Sequence, residues 1–230
     1  MIPIFITVRD LLDAPRQLAT QVANMDLGLP ILLDLASTYP PTVEWLATAD
    51  MTTYRLENIG NRAAWNAGLV RTAAEHVALY GSPYFGVSDG DIDLSGIPQS
   101  LLEDMAAILD ADPTIPKVAV SLRLDDLPDC YQDKARVLAH EGQFWQKPRR
   151  VGRFDVFDAD ADTHFALHRA GSRWEGYKAV RTAAPHIARH TPWYWDPDNL
   201  APDVQWYLNN MVTHWATWST RMKLHAKKDA

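Results

Sequence analysis

The chain has a single cysteine, Cys130, among 230 residues, which excludes a disulfide framework and a thiolate metal cluster. No apolar run approaches the roughly 20 residues needed to cross a bilayer, so no membrane-spanning helix is expected. The opening Ile2-Pro3-Ile4-Phe5-Ile6 is too short and too uncharged at its head for a secretory signal, and cytoplasmic residence is the simplest expectation. Positive charge is scarce as well. The formal net charge of -7 argues against a protein whose main task is to coat nucleic acid. The tail does run basic, at Arg221, Lys223, Lys227 and Lys228, where a solvated helix end explains them. Internal repeats, low-complexity stretches and Gly/Ser linkers are missing too, so residues 1–230 read as one domain.

What is present is ordinary for a globular protein: 47% hydrophobic and 22% charged residues. Ile4 to Val8 is a continuous β-branched and aromatic run, the pattern of a strand buried on both faces. Asp13 and Pro15 open a helix that Gly28 closes, with Leu18, Val22 and Met25 on one face. Ile31-Leu32-Leu33 forms a second buried strand ending at Asp34. Pro40 and Pro41 start a short helix, and Thr53 to Leu56 is a third strand. A polar turn from Asn58 runs into a helix up to Gly68, and a fourth strand, Tyr84 to Ser88, stops at Asp89-Gly90-Asp91.

Strand–helix alternation at this spacing implies right-handed crossovers and a largely parallel sheet. Such sheets bind ligands at the carboxyl ends of their strands. Polar residues collect at that edge: Thr7 and Arg9, Asp34 and Ser37, Asn58, Asp89 and Asp91. Beyond residue 95 the pattern loosens. A helix is expected around Leu101–Leu109, strands at 117–122 and 165–167, and a long terminal helix striped by Val204, Tyr207, Met211, Trp215, Trp218 and Met222.

Asp89-Gly90-Asp91 is the sharpest chemical signal. Two carboxylates one residue apart repel and raise one another's pKa unless a cation lies between them. A hard divalent ion, Mg²⁺ or Mn²⁺, answers that repulsion, and a diphosphate can complete its shell.

Four segments in order carry a resemblance. They are Ile4-Phe5-Ile6-Thr7-Val8-Arg9, the stretch around Asp34, Asn58-x-Gly60 with Asn66-x-Gly68, and Asp89-Gly90-Asp91. Together they resemble the GT-A glycosyltransferases, above all the family-2 nucleotide-sugar enzymes of a short bacterial and phage branch. The resemblance covers residues 1–95 well and 96–230 loosely. It implies a Rossmann-like three-layer αβα fold, with a donor-binding half over 1–95 and an acceptor-side half ending in the long helix. The activity it implies is transfer of a sugar from a nucleoside-diphosphate donor, a UDP-sugar favoured, to a hydroxyl. Thr7, Arg9, Asp34, Ser37 and Asn58 would then hold the nucleoside, and Arg62 and Asn66 the sugar or phosphates. Asp89 and Asp91 would take the metal and diphosphate.

Further along, Asp160-Ala161-Asp162-Thr163-His164 resembles the segment that supplies the base in inverting family-2 enzymes, although Ala161 stands where a Glu is expected. Asp162 is the candidate base, with Asp126 its rival. Arg189-His190-Thr191-Pro192-Trp193 resembles the late His…Pro-Trp element, making His190 a third metal ligand, Trp193 an acceptor platform and Arg189 a partner of the diphosphate. Two other functions stay open: a nucleotidyltransferase on the same fold, against which Thr7-Val8-Arg9-Asp10 offers no Gly-rich phosphate turn, and a non-catalytic sugar- or nucleotide-binding protein. The acceptor is not legible; a saccharide, a lipid carrier, a protein or a modified DNA base all fit.

Overall fold

The computed structural model describes residues 1–211. The elements run β1 (Ile2–Val8), α1 (Asp13–Ala23), β2 (Gly28–Leu35), α2 (Pro40–Thr48), β3 (Thr52–Leu56), α3 (Ala63–Asn66), α4 (Ala73–Tyr80) and β4 (Tyr84–Asp89). There follow β5 (Ile92–Asp93), α5 (Leu101–Ala111), β6 (Lys117–Ala119), β7 (Ser121–Leu122), α6 (Lys134–Glu141), β8 (Arg149–Val151) and β9 (Phe154–Asp158). β10 (Ala166–Arg169), β11 (Val180–Thr182), β12 (Ile187–His190) and α7 (Pro202–Asn210) complete them. Among the described residues no helix is long and apolar enough to cross a membrane.

Among the described residues nine strands form one sheet in the order β3-β2-β1-β4-β10-β6-β11-β9-β8, and β5, β12 and β7 form a smaller one. The fold is α/β, as expected. β3, β2, β1 and β4 are parallel, because each crossover returns through a helical segment. The far half is mixed: β10 lies antiparallel to β4 and β6, and β9 antiparallel to β11 and β8. The sheet is therefore parallel through its first half only, since β10 enters from the opposite end.

Both faces of the sheet are covered, giving three layers. Successive side chains of a strand point to opposite faces. Ile4, Ile6 and Val8 pack with Leu18 and Val22 of α1 and with Leu102 and Met105 of α5. Phe5, Ile31 and Leu33 pack on the other face with Ala63, Ala64 and Phe85. The run Lys117–Leu122 breaks at Val120, whose N–H donates to the Phe165 carbonyl, and its end passes into the small sheet as β7. α4 is begun by a capping box, Thr72 with Glu75, and closed by Gly81 at φ 67°. α7 ends at Asn210 and Met211 is extended; Trp215, Trp218, Met222 and the basic tail lie outside the described residues.

Candidate active site

The site begins with a close backbone approach. Thr7 and Asp89 are register partners on β1 and β4, and the chain turns immediately after Asp89. A Cβ on Gly90 would stand 2.4 Å from the Thr7 carbonyl oxygen and 3.0 Å from Pro15. The glycine between the two aspartates is therefore a packing requirement. It lets the turn fold over the tip of β1 and places both carboxylates at the strand ends.

Two later segments are brought to this turn. β5 pairs with β12, His190 opposite Ile92 and Arg189 opposite Asp93, and the Thr191 N–H donates to the Asp91 carbonyl at 2.8 Å. That pairing sets His190 Nε2 3.5 Å from Asp91 Oδ2. On the other side, the Asp89 N–H donates to the Thr163 carbonyl at 3.0 Å. The Thr163 hydroxyl contacts both oxygens of the Asp89 carboxylate at 3.0 and 2.9 Å and accepts from Asn61 Nδ2 at 3.1 Å. Asp162 adjoins Thr163 and accepts from the ring of His164, Nδ1 to Oδ1 2.7 Å. His164 Nε2 lies 3.2 Å from the Val120 carbonyl, so the ring is flanked by an acceptor at each nitrogen.

Three carboxylates and one imidazole thus share a field. Burial raises the Asp89 pKa, and the nearby charges of Asp162 and Asp91 raise it further. Burial disfavours the charged form of His190, yet Asp91, Asp162 and Asp89 together raise its pKa. Packing around the turn works to raise the pKa of Asp162, whose side chain is still about half exposed at 53%, but the hydrogen bond and charge of His164 outweigh it and hold the carboxyl well below its ordinary value. Asp91 Oδ1 and His190 Nδ1 are buried without a hydrogen-bond partner. An orphaned carboxylate oxygen inside a negative cluster suits a cation, and the donors are oxygen and imidazole nitrogen, the set that Mn²⁺ or Mg²⁺ tolerates. Among the described residues no three His, Cys, Asp or Glu side chains come close enough to close a metal site alone, so part of any ion's shell must come from a ligand.

The other expected donor residues ring the tips of β1 and β2. Arg9 Nη1 donates to the Leu35 and Ala36 carbonyls at 2.6 and 3.2 Å. Asp34 is 1% exposed, paired with Arg55 at 2.6 Å, and accepts from the Ser37 N–H at 2.8 Å. The Ser37 hydroxyl accepts from the Asp10 N–H at 3.0 Å. These contacts hold the rim of the crevice together. Thr7 is buried, with its hydroxyl 3.5 Å from the Ser88 carbonyl. Asn58 is half-buried. Asn66 reaches back to the Ile59 carbonyl at 3.1 Å, and the guanidinium of exposed Arg62 lies 5.9 Å from the Trp174 ring.

Arg189 and Asp126 meet each other: Arg189 Nε donates to Asp126 Oδ2 at 2.8 Å, and the Tyr194 hydroxyl donates to Asp126 Oδ1 at 2.6 Å. Asp126 is thus tied up in its own ion pair, whereas Asp162 adjoins the acidic turn. Trp193 is 1% exposed and sits edge-on to His190, centroids 4.8 Å apart; its ring backs the histidine and is turned away from solvent. A cavity of about 360 Å³ lined by Asp104, Arg153 and His186 lies beside β9 and β11, away from these carboxylates.

Sequence reading missed Thr163, Asn61, His164, Asp10 and Arg55. Asn61 stood inside the Asn58–Gly68 segment, and Thr163 and His164 beside Asp162, but nothing local marks them; only the pairing of distant segments does. Asp10, at φ 58°, accepts from the Thr38 and Tyr39 N–H groups at the start of α2.

Comparison with known proteins finds no matching family model and no matching curated protein. Among solved structures the chain is similar to a crystal structure of S. aureus TarS, residues 1–349, with 9% identity and a TM-score of 0.46, covering 90% of this chain and 64% of that one. It is also similar to glucosyl-3-phosphoglycerate synthase from Mycobacterium tuberculosis in complex with Mn²⁺ and uridine-diphosphate-glucose. There the identity is 14% and the TM-score 0.37, over 74% of this chain and 56% of that one. The chain thus spans less than two thirds of the length of either.

Proposed function

We propose that this protein is a metal-dependent GT-A glycosyltransferase that moves a sugar from a nucleoside-diphosphate donor, UDP-sugar favoured, to a hydroxyl acceptor. One observation carries the reading. The carboxylates of Asp89, Asp91 and Asp162 and the imidazole of His190 gather where β1 and β4 end, with a buried Asp91 oxygen unpartnered.

In this reading Asp91 and His190, 3.5 Å apart, would hold Mn²⁺ or Mg²⁺ with Asp89 adding negative charge beside them and the donor diphosphate completing the shell; the ion when bound supplies Lewis-acid stabilisation of the leaving diphosphate. The rim formed by Thr7, Arg9, Asp34, Ser37 and Asn58 receives the nucleoside, with Arg62 and Asn66 on the sugar and phosphate side. Thr163, held by Asn61, fixes the Asp89 carboxylate. Asp162 takes the proton from the acceptor hydroxyl as that oxygen bonds to the anomeric carbon and the bond to the diphosphate breaks. Attack opposite the leaving group inverts configuration. His164 locks Asp162 from behind, and ionised Asp162 is ready to accept at neutral pH.

A melting-temperature screen of nucleoside diphosphates and their sugars, with and without Mn²⁺, tests this directly. A metal-dependent rise with one nucleotide, lost in Asp91→Asn, is the expected result. Identical melting curves across every donor and metal would overturn it.

A further inference from the structure

Beside Asp162 stands an aromatic side chain held outward. Tyr177 is 60% exposed, more than any other large hydrophobic among the described residues, yet its backbone is fixed. Its carbonyl accepts from the Ala161 N–H at 2.8 Å, so its backbone runs beside the residue that precedes Asp162. The next carbonyl back, that of Gly176, accepts from Lys117 Nζ at 3.1 Å. Lys117 is buried and also donates to the carbonyls of Ala161, at 2.6 Å, and Asp162, at 3.1 Å. One ammonium therefore ties the Asp162 segment and the Tyr177 segment together, using one N–H on each of three carbonyls. Trp174 buttresses the arrangement: Lys117 lies 4.5 Å from its ring centroid, Trp65 meets it at 5.2 Å, and Tyr177 packs against it at 6.2 Å and 87°.

An exposed ring costs little entropy to order and offers a broad apolar face. Free energy is gained when a ligand covers that face. The surrounding charge narrows the class of ligand. Exposed Arg62, Arg173 and Lys178 are matched by exposed Asp160, Asp162 and Glu175, so the patch has no net sign with which to select a polyanion. A pyranose ring fits: its C–H face packs on an aromatic ring, while its hydroxyls reach the polar rim.

We infer that Tyr177, buttressed by Trp174 and set relative to Asp162 by Lys117, forms the acceptor subsite for a neutral saccharide, which stacks one ring on Tyr177 and presents a hydroxyl to Asp162. This rests on the glycosyltransferase reading for the role of Asp162, not for the binding itself.

The test is saturation-transfer NMR on the full chain with maltotriose, cellotriose and chitotriose as probes, in the presence of UDP and Mn²⁺, beside a short oligothymidylate. At least one trisaccharide is expected to bind, to weaken about tenfold in Tyr177→Ala, the loss of roughly one stacking contact, and to recover in Tyr177→Phe. Silence from every trisaccharide, binding unchanged in Tyr177→Ala, or preference for the oligothymidylate overturns the inference. The melting shift with UDP and Mn²⁺, measured on the same samples, separates the two proposals. Its absence with saccharide binding intact removes the donor reading alone; its presence with saccharides silent removes the acceptor subsite alone.

Discussion

Gly90 carries more of the site than its size suggests. A methyl group there meets the Thr7 carbonyl oxygen at 2.4 Å, and because that nearest atom is backbone, the acidic turn itself must move. Gly90→Ala is expected to cost about 1–3 kcal/mol and to abolish the nucleotide- and metal-dependent melting shift. Asp91→Asn should abolish that shift while leaving the melting temperature of the free protein nearly unchanged, because it removes a charge from a repelling cluster. Melting curves of both variants, with and without UDP and Mn²⁺, check the pair. Asp89-Gly90-Asp91 was legible in the sequence for the same reason: two acids around a glycine at the end of a buried strand are hard to explain otherwise. Trp193 was harder to read. Its polar neighbours suggested an exposed platform, whereas its ring is buried behind His190. Tyr177 had no local signal at all, since exposure is a property of the fold.

At the level of elements, the short ones decide the site. β5 has two residues and β12 four, yet their pairing carries His190 to Asp91. Of the four parallel strands β1, β2 and β4 are largely buried runs, whereas β3 at the sheet edge is partly polar and exposed; each was apparent in the sequence. β8 and β9 are short and mixed in polarity, with Arg149 ion-paired to Asp158 and Arg150 to Asp155, and no sustained periodicity set them apart from loops. The α4 signals were present but unread: Thr72 and Glu75 at capping-box spacing, and Gly81 as terminator. Thr72→Ala is expected to cost about 1 kcal/mol, or about 2–4 °C in melting temperature, with no effect on nucleotide binding. Lys117 binds elements that are far apart in sequence. Lys117→Met leaves three carbonyl groups, one buried and two partly buried, without their donor and should lower stability by about 2 kcal/mol or more; calorimetry on the variant measures this.

For the whole molecule, buried neutral histidines set the acid limit. His168 lies against Phe85, centroids 5.2 Å apart. Burial, helped by the charge of Lys117, pushes its pKa down to about 3; burial also lowers that of His76. A folded-state pKa below the unfolded value of roughly 6.5 means that the unfolded chain binds the extra proton. For His168 stability is then complete above pH 6.5 and falls by about 1.4 kcal/mol per pH unit as pH drops toward 3, and His76 acts in the same direction. Denaturant unfolding between pH 7 and 4 is expected to show this slope, reduced in His168→Phe. The broad architecture, an α/β sheet with polar strand ends, could be read from the sequence because burial on both faces leaves its mark on consecutive residues. His190 was expected only through the resemblance, and Thr163 not at all, because it reaches Asp89 from 74 residues away and no local pattern marks that pairing.

The central claim is that the acidic turn shares a divalent ion with a nucleoside diphosphate. Electron paramagnetic resonance of Mn²⁺ titrated with the full chain measures that binding directly. The free-ion signal should fall when protein and UDP are both present, and this loss should vanish in Asp91→Asn. A signal untouched by protein and UDP, or equally diminished in the variant, would contradict the claim.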